Sequence, residues 1–567
     1  MKRCPKCNIV ATDDTHAFCR ADGVLLVDSD SFGESETIDL QLVAPAASTS
    51  EEDESLNGPV GSTGLMNSLI GKSSLGNLIE KYKRPTVVWV TASVIALTLA
   101  VSTYFFVSRK GNATINSVAV LPFLNVNADQ QLDYLSDGMT ETLIYNLSRL
   151  PKLNVKALSS VSRYKGKDVT PRTVGEDLNV QAILNGRIVQ RGDVLTLSLE
   201  LADARTENVI WNEQYSRNHT ELVSLQSEIA RDVAGKLRVK LAGADEQILS
   251  KKYTTDSEAY QLYLKGRFCW NKRTAIDLER AIDRFDQAIL LDPNYALAYA
   301  GLADSYVLLP FYRDAPVREG MRQAREAATK ALSLDGNLDE AHAALGLANT
   351  CESSFIAAER EFKIAIELNP DYATAHTWYG VMLFYLGRHG EASIELQRAI
   401  EIDPLSLIAN VTYGEGLFYA RRYDEAIAQL KKTIELDDKF ERAHSILSNV
   451  YQATGSYNKA VEEYARYQDL MGERQTATLV RDSFAKGGWH GFLRAMTGGQ
   501  RPAGLSRHNL VIFLAALGEK DKAFSELSKS YEVFGRLKID PLLDPLRDDP
   551  RFEEILRRAE FLWSGRV

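Results

Sequence analysis

From about Asp256 onward the chain repeats itself every 34 residues, and no other feature limits its possible folds as strongly. Gly346, Gly380, Gly414 and Ser448 recur at that spacing. So do Ala358, Ala392, Ala426 and Ala460, and then Pro370, Pro404, Asp438 and Gly472. A period of this length marks a unit that cannot bury its apolar face alone and must stack on copies of itself. The small residues let two helices of one unit approach closely, and a proline ends the second helix because it cannot continue one. The expectation is an all-α solenoid.

The pattern resembles the tetratricopeptide repeat. Two irregular units precede the four in register. Gly266, Ala281, Phe285, Ala288 and Pro293 fit with a short insertion in NKRTAIDL, and Ala303, Ala324, Ala328 and Ala331 fit with a longer one, PFYRDAPVREG. That makes six repeats over 256–472, where about three suffice for a stable stack. Residues 473–567 read as a further helical hairpin, NLVIFLAALGEKDKAFSELSKSYEVF, and a polar capping helix, KIDPLLDPLRDDPRFEEILRR. Cys269 and Cys351 fall two repeats apart, too far for a disulfide. The resemblance implies a concave groove lined by first helices. Its groove columns fall on Thr377, Val381, Phe384 and Tyr385, then Val411, Glu415, Phe418 and Tyr419, then Arg442, Ser445, Asn449 and Gln452. Two aromatic pairs with polar neighbours suit a protein or peptide partner, with packing between repeats as the alternative use of those rings. If the rings serve the partner, replacing Phe384 and Phe418 by alanine removes capture and leaves the fold.

Residues 115–242 follow another rule. SVAVLPF predicts a strand, and Leu132, Leu135, Met139, Leu143, Ile144, Leu147 and Leu150 mark a helix by spacing. LNVKALSS reads as a second strand and PRTVGEDLN as a short helix opened by Pro171. QAILNGRIVQ and DVLTLSLELAD form a hairpin through Arg191-Gly192, VIWNEQYS a third strand, and LVSLQSEIARDVAGKLRV a closing amphipathic helix. Asp137-Gly138 reads as turn and helix-start chemistry. The succession AVLPF, YLSDGMTETLIYNLSRLPKLNV, YKGKDV and the long hairpin resembles the TolB amino-terminal-like domain. That resemblance implies an α/β fold of the kind found before tetratricopeptide repeats in bacterial signalling proteins.

The amino-terminal part carries different chemistry. In residues 1–25, Cys4 and Cys7 form a CPKC knuckle and Cys19 begins CRAD, with Asp22 where a fourth cysteine would stand. Two thiolates at that spacing chelate one Zn²⁺. The segment resembles a short zinc ribbon, with Cys4, Cys7, Cys19 and Asp22 as ligands and His16 as the other candidate. Residues 26–85 read as a disordered acidic linker, without Lys or Arg between Arg20 and Lys72. Gly71-Lys72-Ser73 imitates the end of a phosphate loop, but Met66 occupies the position of the leading glycine.

Thr86 to Val107, TVVWVTASVIALTLAVSTYFFV, contains no charged residue, Gly or Pro. As a helix it spans about 33 Å, enough for a hydrocarbon core of about 30 Å. Lys72, Lys81, Lys83 and Arg84 before it outnumber Arg109 and Lys110 after it, which places the amino terminus in the cytosol. The expected location is a bacterial inner membrane, single-pass, with a periplasmic carboxyl-terminal body.

A formal charge of −10 and a pI near 5.5 argue against a body built for nucleic acid. HExxH, GxSxG, a kinase set and a valid phosphate loop are missing from the sequence. The eight histidines look scattered and default to packed or solvated positions. The expected function is therefore a membrane-anchored, non-catalytic interaction scaffold. The alternative is a sensor that relays ligand or partner binding through the membrane helix to the zinc segment.

Overall fold

The computed structural model describes residues 2–3, 10–11, 27–28, 115–127, 132–150, 153–237, 243–312, 317–499, 502–529 and 534–563. In the amino-terminal unit three two-residue strands, β1 (Lys2–Arg3), β2 (Val10–Ala11) and β3 (Val27–Asp28), form an antiparallel sheet in the order β2-β1-β3. Val27 and Asp28 thus carry regular structure inside the stretch expected to be linker. Cys4, Cys7, His16, Cys19, Asp22, the rest of the linker and the apolar run 86–107 lie outside the described residues. Among the described residues no helix is long and apolar enough to cross a membrane.

The second unit begins with the α/β domain. Its strands are β4 (Ser117–Val120), β5 (Leu124–Asn125), β6 (Asn154–Val155), β7 (Ala182–Arg191), β8 (Val194–Asp203) and β9 (Val209–Asn218). The sheet order is β6-β4-β7-β8-β9, with β5 also on β7. The β4 pairings with β6 and β7 are parallel, and β7-β8-β9 form an antiparallel meander. Gly192 takes φ +61° at the expected hairpin turn, where a side chain would be strained. Helix α1 (Asp133–Ser148) makes the crossover from β5 to β6. LNVKALSS is strand for only two residues and then turns into α2 (Leu158–Ser162). Helix α3 (Pro171–Leu178) starts at Pro171, with the Thr170 hydroxyl accepting from the Thr173 amide. Helices α4 (Leu222–Lys236) and α5 (Gly243–Ser250) complete the domain. Asp137 and Gly138 correct the turn reading, since both sit inside α1.

The six repeats are helical hairpins α6–α7 (Ser257–Asn271, Ala275–Leu291), α8–α9 (Ala296–Tyr312, Val317–Leu334), α10–α11 (Asp339–Cys351, Phe355–Leu368), α12–α13 (Ala373–Tyr385, His389–Ile402), α14–α15 (Leu407–Tyr419, Tyr423–Leu436) and α16–α17 (Glu441–Ala453, Tyr457–Leu470). The periodic glycines are where the helices of a hairpin touch. A Cβ on Gly346 would stand 2.7 Å from the Phe362 ring, one on Gly380 2.6 Å from Leu396, and one on Gly414 2.8 Å from Leu430. At the fourth equivalent position the Ser448 hydroxyl donates to the Ala460 carbonyl at 2.7 Å. Turns between paired helices place Ser353, Gly387, Arg421 and Gly455 at φ between +56° and +74°, again 34 residues apart. Arg421 thus holds a backbone position that favours glycine. Cys269 and Cys351 are free thiols.

Beyond the repeats come α18 (Arg474–Thr497), broken at Gly488, and the hairpin α19–α20 (Arg507–Ala516, Lys520–Leu527). The expected capping helix is three pieces instead: α21 (Phe534–Ile539), α22 (Asp544–Arg547) and α23 (Pro550–Trp563), with a 3-10 turn at Pro541–Leu543. Asp540 forces the first break by capping the Leu542 amide, and Pro541, Pro545 and Pro550 cannot continue a helix.

Candidate protein-interaction surface

First helices pack side by side from one repeat to the next, α8 on α10, α10 on α12, α12 on α14 and α14 on α16. Their shared face is the inner face of the array. Two parts of the same chain lie against it.

The α/β domain occupies repeats one to four. Helix α1 packs on α6, and Gly138 makes this possible, since a Cβ there would reach Leu264 at 3.0 Å. The Arg267 guanidinium donates to Glu141 of α1 at 2.5 Å, and the same group lies 3.3 Å from Glu340 and 3.5 Å from Asp304. All four side chains are largely buried, and the burial pushes the Asp304 and Glu340 carboxyls up against the pull of Arg267. Further along, Tyr145 donates to Asp339 at 3.0 Å and Arg149 to the Asn337 carbonyl at 2.9 Å. Ser159 and Ser160 donate to Asp403, at the end of the fourth repeat, and the Lys156 ammonium donates to the Glu401 carbonyl at 3.1 Å. Buried polar contacts of this kind fix one geometry, because each group left unpaired would cost about 1–3 kcal/mol.

The carboxyl-terminal segment occupies repeats four to six. Helix α21 rests on α12, and the turn Pro541–Leu543 rests on α16. Arg536 comes within 3.7 Å of Glu415, which also takes Arg442 at 2.7 Å and the Tyr419 hydroxyl at 2.8 Å. Burial alone would raise the Glu415 carboxyl, but Arg442 and Arg536 hold it down at about 2. Burial and the nearby Glu415 push the Tyr385 hydroxyl up. Arg421 makes a double contact with Asp544, at 2.6 and 2.8 Å. Leu537, Leu543 and Leu546 of this segment are buried, and its Asp540 is held by His508 at 3.0 Å.

The groove residues named from the sequence divide on this surface. Glu415 and Arg442 meet directly, and Tyr419 joins them. Val381, Tyr385, Asn449 and Gln452 are half-buried on α12 and α16. Thr377 is buried and donates to the Ala373 carbonyl at 2.8 Å. Val411, Phe384 and Phe418 are interior, at 0%, 2% and 1% exposure. Phe384 packs so closely on Gly416 that a Cβ there would lie 1.9 Å from its ring. The Phe384 ring joins repeats four and five and the Phe418 ring packs beside Tyr419 and Tyr423 inside repeat five, so alanine at either would damage the stack.

Three features escaped the sequence reading. Arg267 and its carboxylates carry no motif. The role of Arg536 depends on a chain reversal that no local pattern announces. The histidines did carry a signal: His342, His376 and His444 share one repeat position, and each joins its second helix at Glu361, Glu395 and Glu463, at 2.6–2.7 Å. Asn410 and Gln429 fill the same two positions at 2.8 Å.

Comparison with known proteins agrees with the array. The tetratricopeptide repeat model matches residues 355–406 and 414–473. Over those residues the array consists of tetratricopeptide repeats. Such repeats generally mediate protein–protein contacts. For residues 114–232 the matching model is the second domain of HilA/YgeH-like transcriptional regulators, in the place where the sequence suggested a TolB-like domain. The chain is 30% identical over 234 residues to "Putative adenylate cyclase 3" of Rhizobium meliloti (strain 1021), covering 41% of this chain and 40% of that one. It is 27% identical over 284 residues to the transcriptional regulator HilA of Salmonella typhimurium, covering 49% of each. The chain therefore spans half or less of the length of these relatives. Among solved structures, TTC0263, a tetratricopeptide repeat protein of Thermus thermophilus, is 18% identical with a TM-score of 0.30, covering 34% of this chain and 99% of that one.

Proposed function

We propose that the protein is a membrane-anchored interaction scaffold that binds a protein partner on the inner face of repeats four to six. The observation that carries this reading is the division of the inner face. Repeats one to four are committed to the α/β domain by buried polar contacts. The inner face of repeats four to six carries an ionised carboxylate, Glu415, among tyrosines and arginines, beneath a short segment of the same chain that contributes Arg536. Rings combined with a few oriented charges suit recognition of a protein segment. The apolar run 86–107 supports the anchor, and the lysines before it support a cytosolic amino terminus with a periplasmic body. Cys4, Cys7, Cys19 and Asp22 support a bound zinc ion in the cytosolic segment.

A photo-crosslinking residue placed at Gln452, on the inner face, tests the reading in cells making the full chain. A discrete protein adduct is expected from Gln452 and none from Ile394, which lies on a second helix and is 65% exposed. Adducts from both positions, or from neither, would refute a specific groove. Labelling of single cysteines engineered near residues 60 and 250 in intact cells decides the topology.

A further inference from the structure

The segment lying in repeats four to six differs from an ordinary end cap in two ways. Its charges are matched to the groove one by one: Arg536 to Glu415, and Asp544 to Arg421. The fit is also incomplete. Arg536 stands 3.7 Å from Glu415, and its Nε–H is buried without an acceptor among the described residues. A buried donor without a partner is costly, so the groove has unused capacity for a better-seated cation. Arg421 supplies the second observation. It is the single residue longer than serine among the four left-handed turn positions of repeats three to six, where glycine or serine otherwise stands. A strained backbone is retained there by a side chain whose described contacts include this segment.

We infer that residues 534–547 are a resident stand-in for an external ligand. That ligand is a protein segment with an arginine or lysine for Glu415 and, at the spacing of Arg536 and Asp544 in the chain, an acidic residue for Arg421. The inference rests on the scaffold reading above and names the chemistry of its partner. Held by a short connection, the resident segment acts at high effective concentration. A partner therefore binds by displacing it, and affinity measured on the closed chain understates that of the open groove.

The probe is a fluorescent synthetic peptide with the sequence of residues 534–549, FGRLKIDPLLDPLRDD, titrated into the full chain. In a variant with Arg536→Ala and Asp544→Ala the resident segment is weakened, and this variant is expected to bind the peptide at least about tenfold more tightly than the unmodified chain. Adding Glu415→Gln, or Arg421→Gly, to that variant reduces binding about tenfold, and Arg421→Gly does so without lowering the melting temperature. Peptide binding indifferent to Glu415 and Arg421 would overturn the inference. Because the opened variant could lose its fold, hydrogen exchange on the unmodified chain gives a second reading. Excess peptide is expected to speed exchange in residues 534–547 and leave α14 unchanged. Exchange of the segment at the rate of the repeat core, unmoved by peptide, identifies a fixed cap and also overturns the proposal. The two readings separate cleanly. A partner crosslinked at Gln452 whose capture ignores Glu415 sinks this inference and leaves the scaffold. Peptide exchange without any crosslinked partner does the opposite.

Discussion

His444 stands between two acceptors, its Nδ1 at 2.6 Å from Glu463 and its Nε2 at 3.1 Å from the Asp438 carbonyl. Both contacts are hydrogen bonds only when both ring nitrogens carry protons. Burial favours the neutral ring, but Glu463 and the Asp438 carbonyl outweigh it and raise the His444 pKa. A raised pKa gives stability that is fully present below the unfolded value of about 6.5 and is lost as pH rises through the folded value. The neighbouring repeat supplies a neutral replacement in Asn410 and Gln429. Pairing His444→Asn with Glu463→Gln is expected to preserve the fold. The melting-temperature advantage of the natural pair over this variant should shrink between about pH 6 and 8. An advantage that grows over that range would contradict the charged clamp.

Arg267→Met is expected to be severe. It leaves Glu141, Asp304 and Glu340 buried around an apolar side chain, and breaking a buried ion pair on one side costs about 3–5 kcal/mol. Denaturant unfolding followed by tryptophan fluorescence measures the loss, since Trp270 lies against the Arg267 guanidinium. A change below about 1 kcal/mol would mean that the cluster is solvated.

Phe384→Ala and Phe418→Ala should each cost about 3–5 kcal/mol through the cavity left in the stack. Gly416→Ala acts from the other side of the Phe384 contact, forcing a methyl into the ring and costing about 1–3 kcal/mol. Thermal melts of the three variants check both. Wild-type stability in Phe384→Ala would return that ring to the list of partner contacts.

Zinc removal tests the amino-terminal segment. A module this small has little core, so metal binding would supply most of its folding free energy. Adding a chelator to the full chain should collapse the amide dispersion of residues 1–25 in a segmentally labelled sample. Unchanged spectra would exclude zinc as its organiser.

Much of the fold was legible because its signals are periodic. The glycine column predicted where Phe362, Leu396 and Leu430 would press, and alternation in QAILNGRIVQ and DVLTLSLELAD predicted the long hairpin. What failed was of two kinds. LNVKALSS has strand composition but only two paired residues, because Ala157 leads straight into α2. The inner face was legible only as columns. Column positions identify which residues point inward, but not what already lies there. Phe384 and Phe418 were open to either use, and both are buried, Phe384 against Gly416 of the next repeat and Phe418 beside Tyr419 and Tyr423 of its own. Glu415 and Arg442, named as column positions, meet each other, and nothing in the columns hinted that Arg536 reaches the same carboxylate.

A solenoid of nearest-neighbour contacts ordinarily behaves as a spring, able to flex, and to melt repeat by repeat from either end. The α/β domain removes that freedom from the first four repeats. Arg267 in the first, Asp339 in the third and Asp403 at the end of the fourth are all tied to α1 and α2. These ties work like a splint, setting the pitch of those four repeats and making them yield as one block. Repeats five and six lie past the splint. They are braced instead by residues 534–547, through Glu415, Arg421 and α16, so the two ends of the array are held by different parts of the chain.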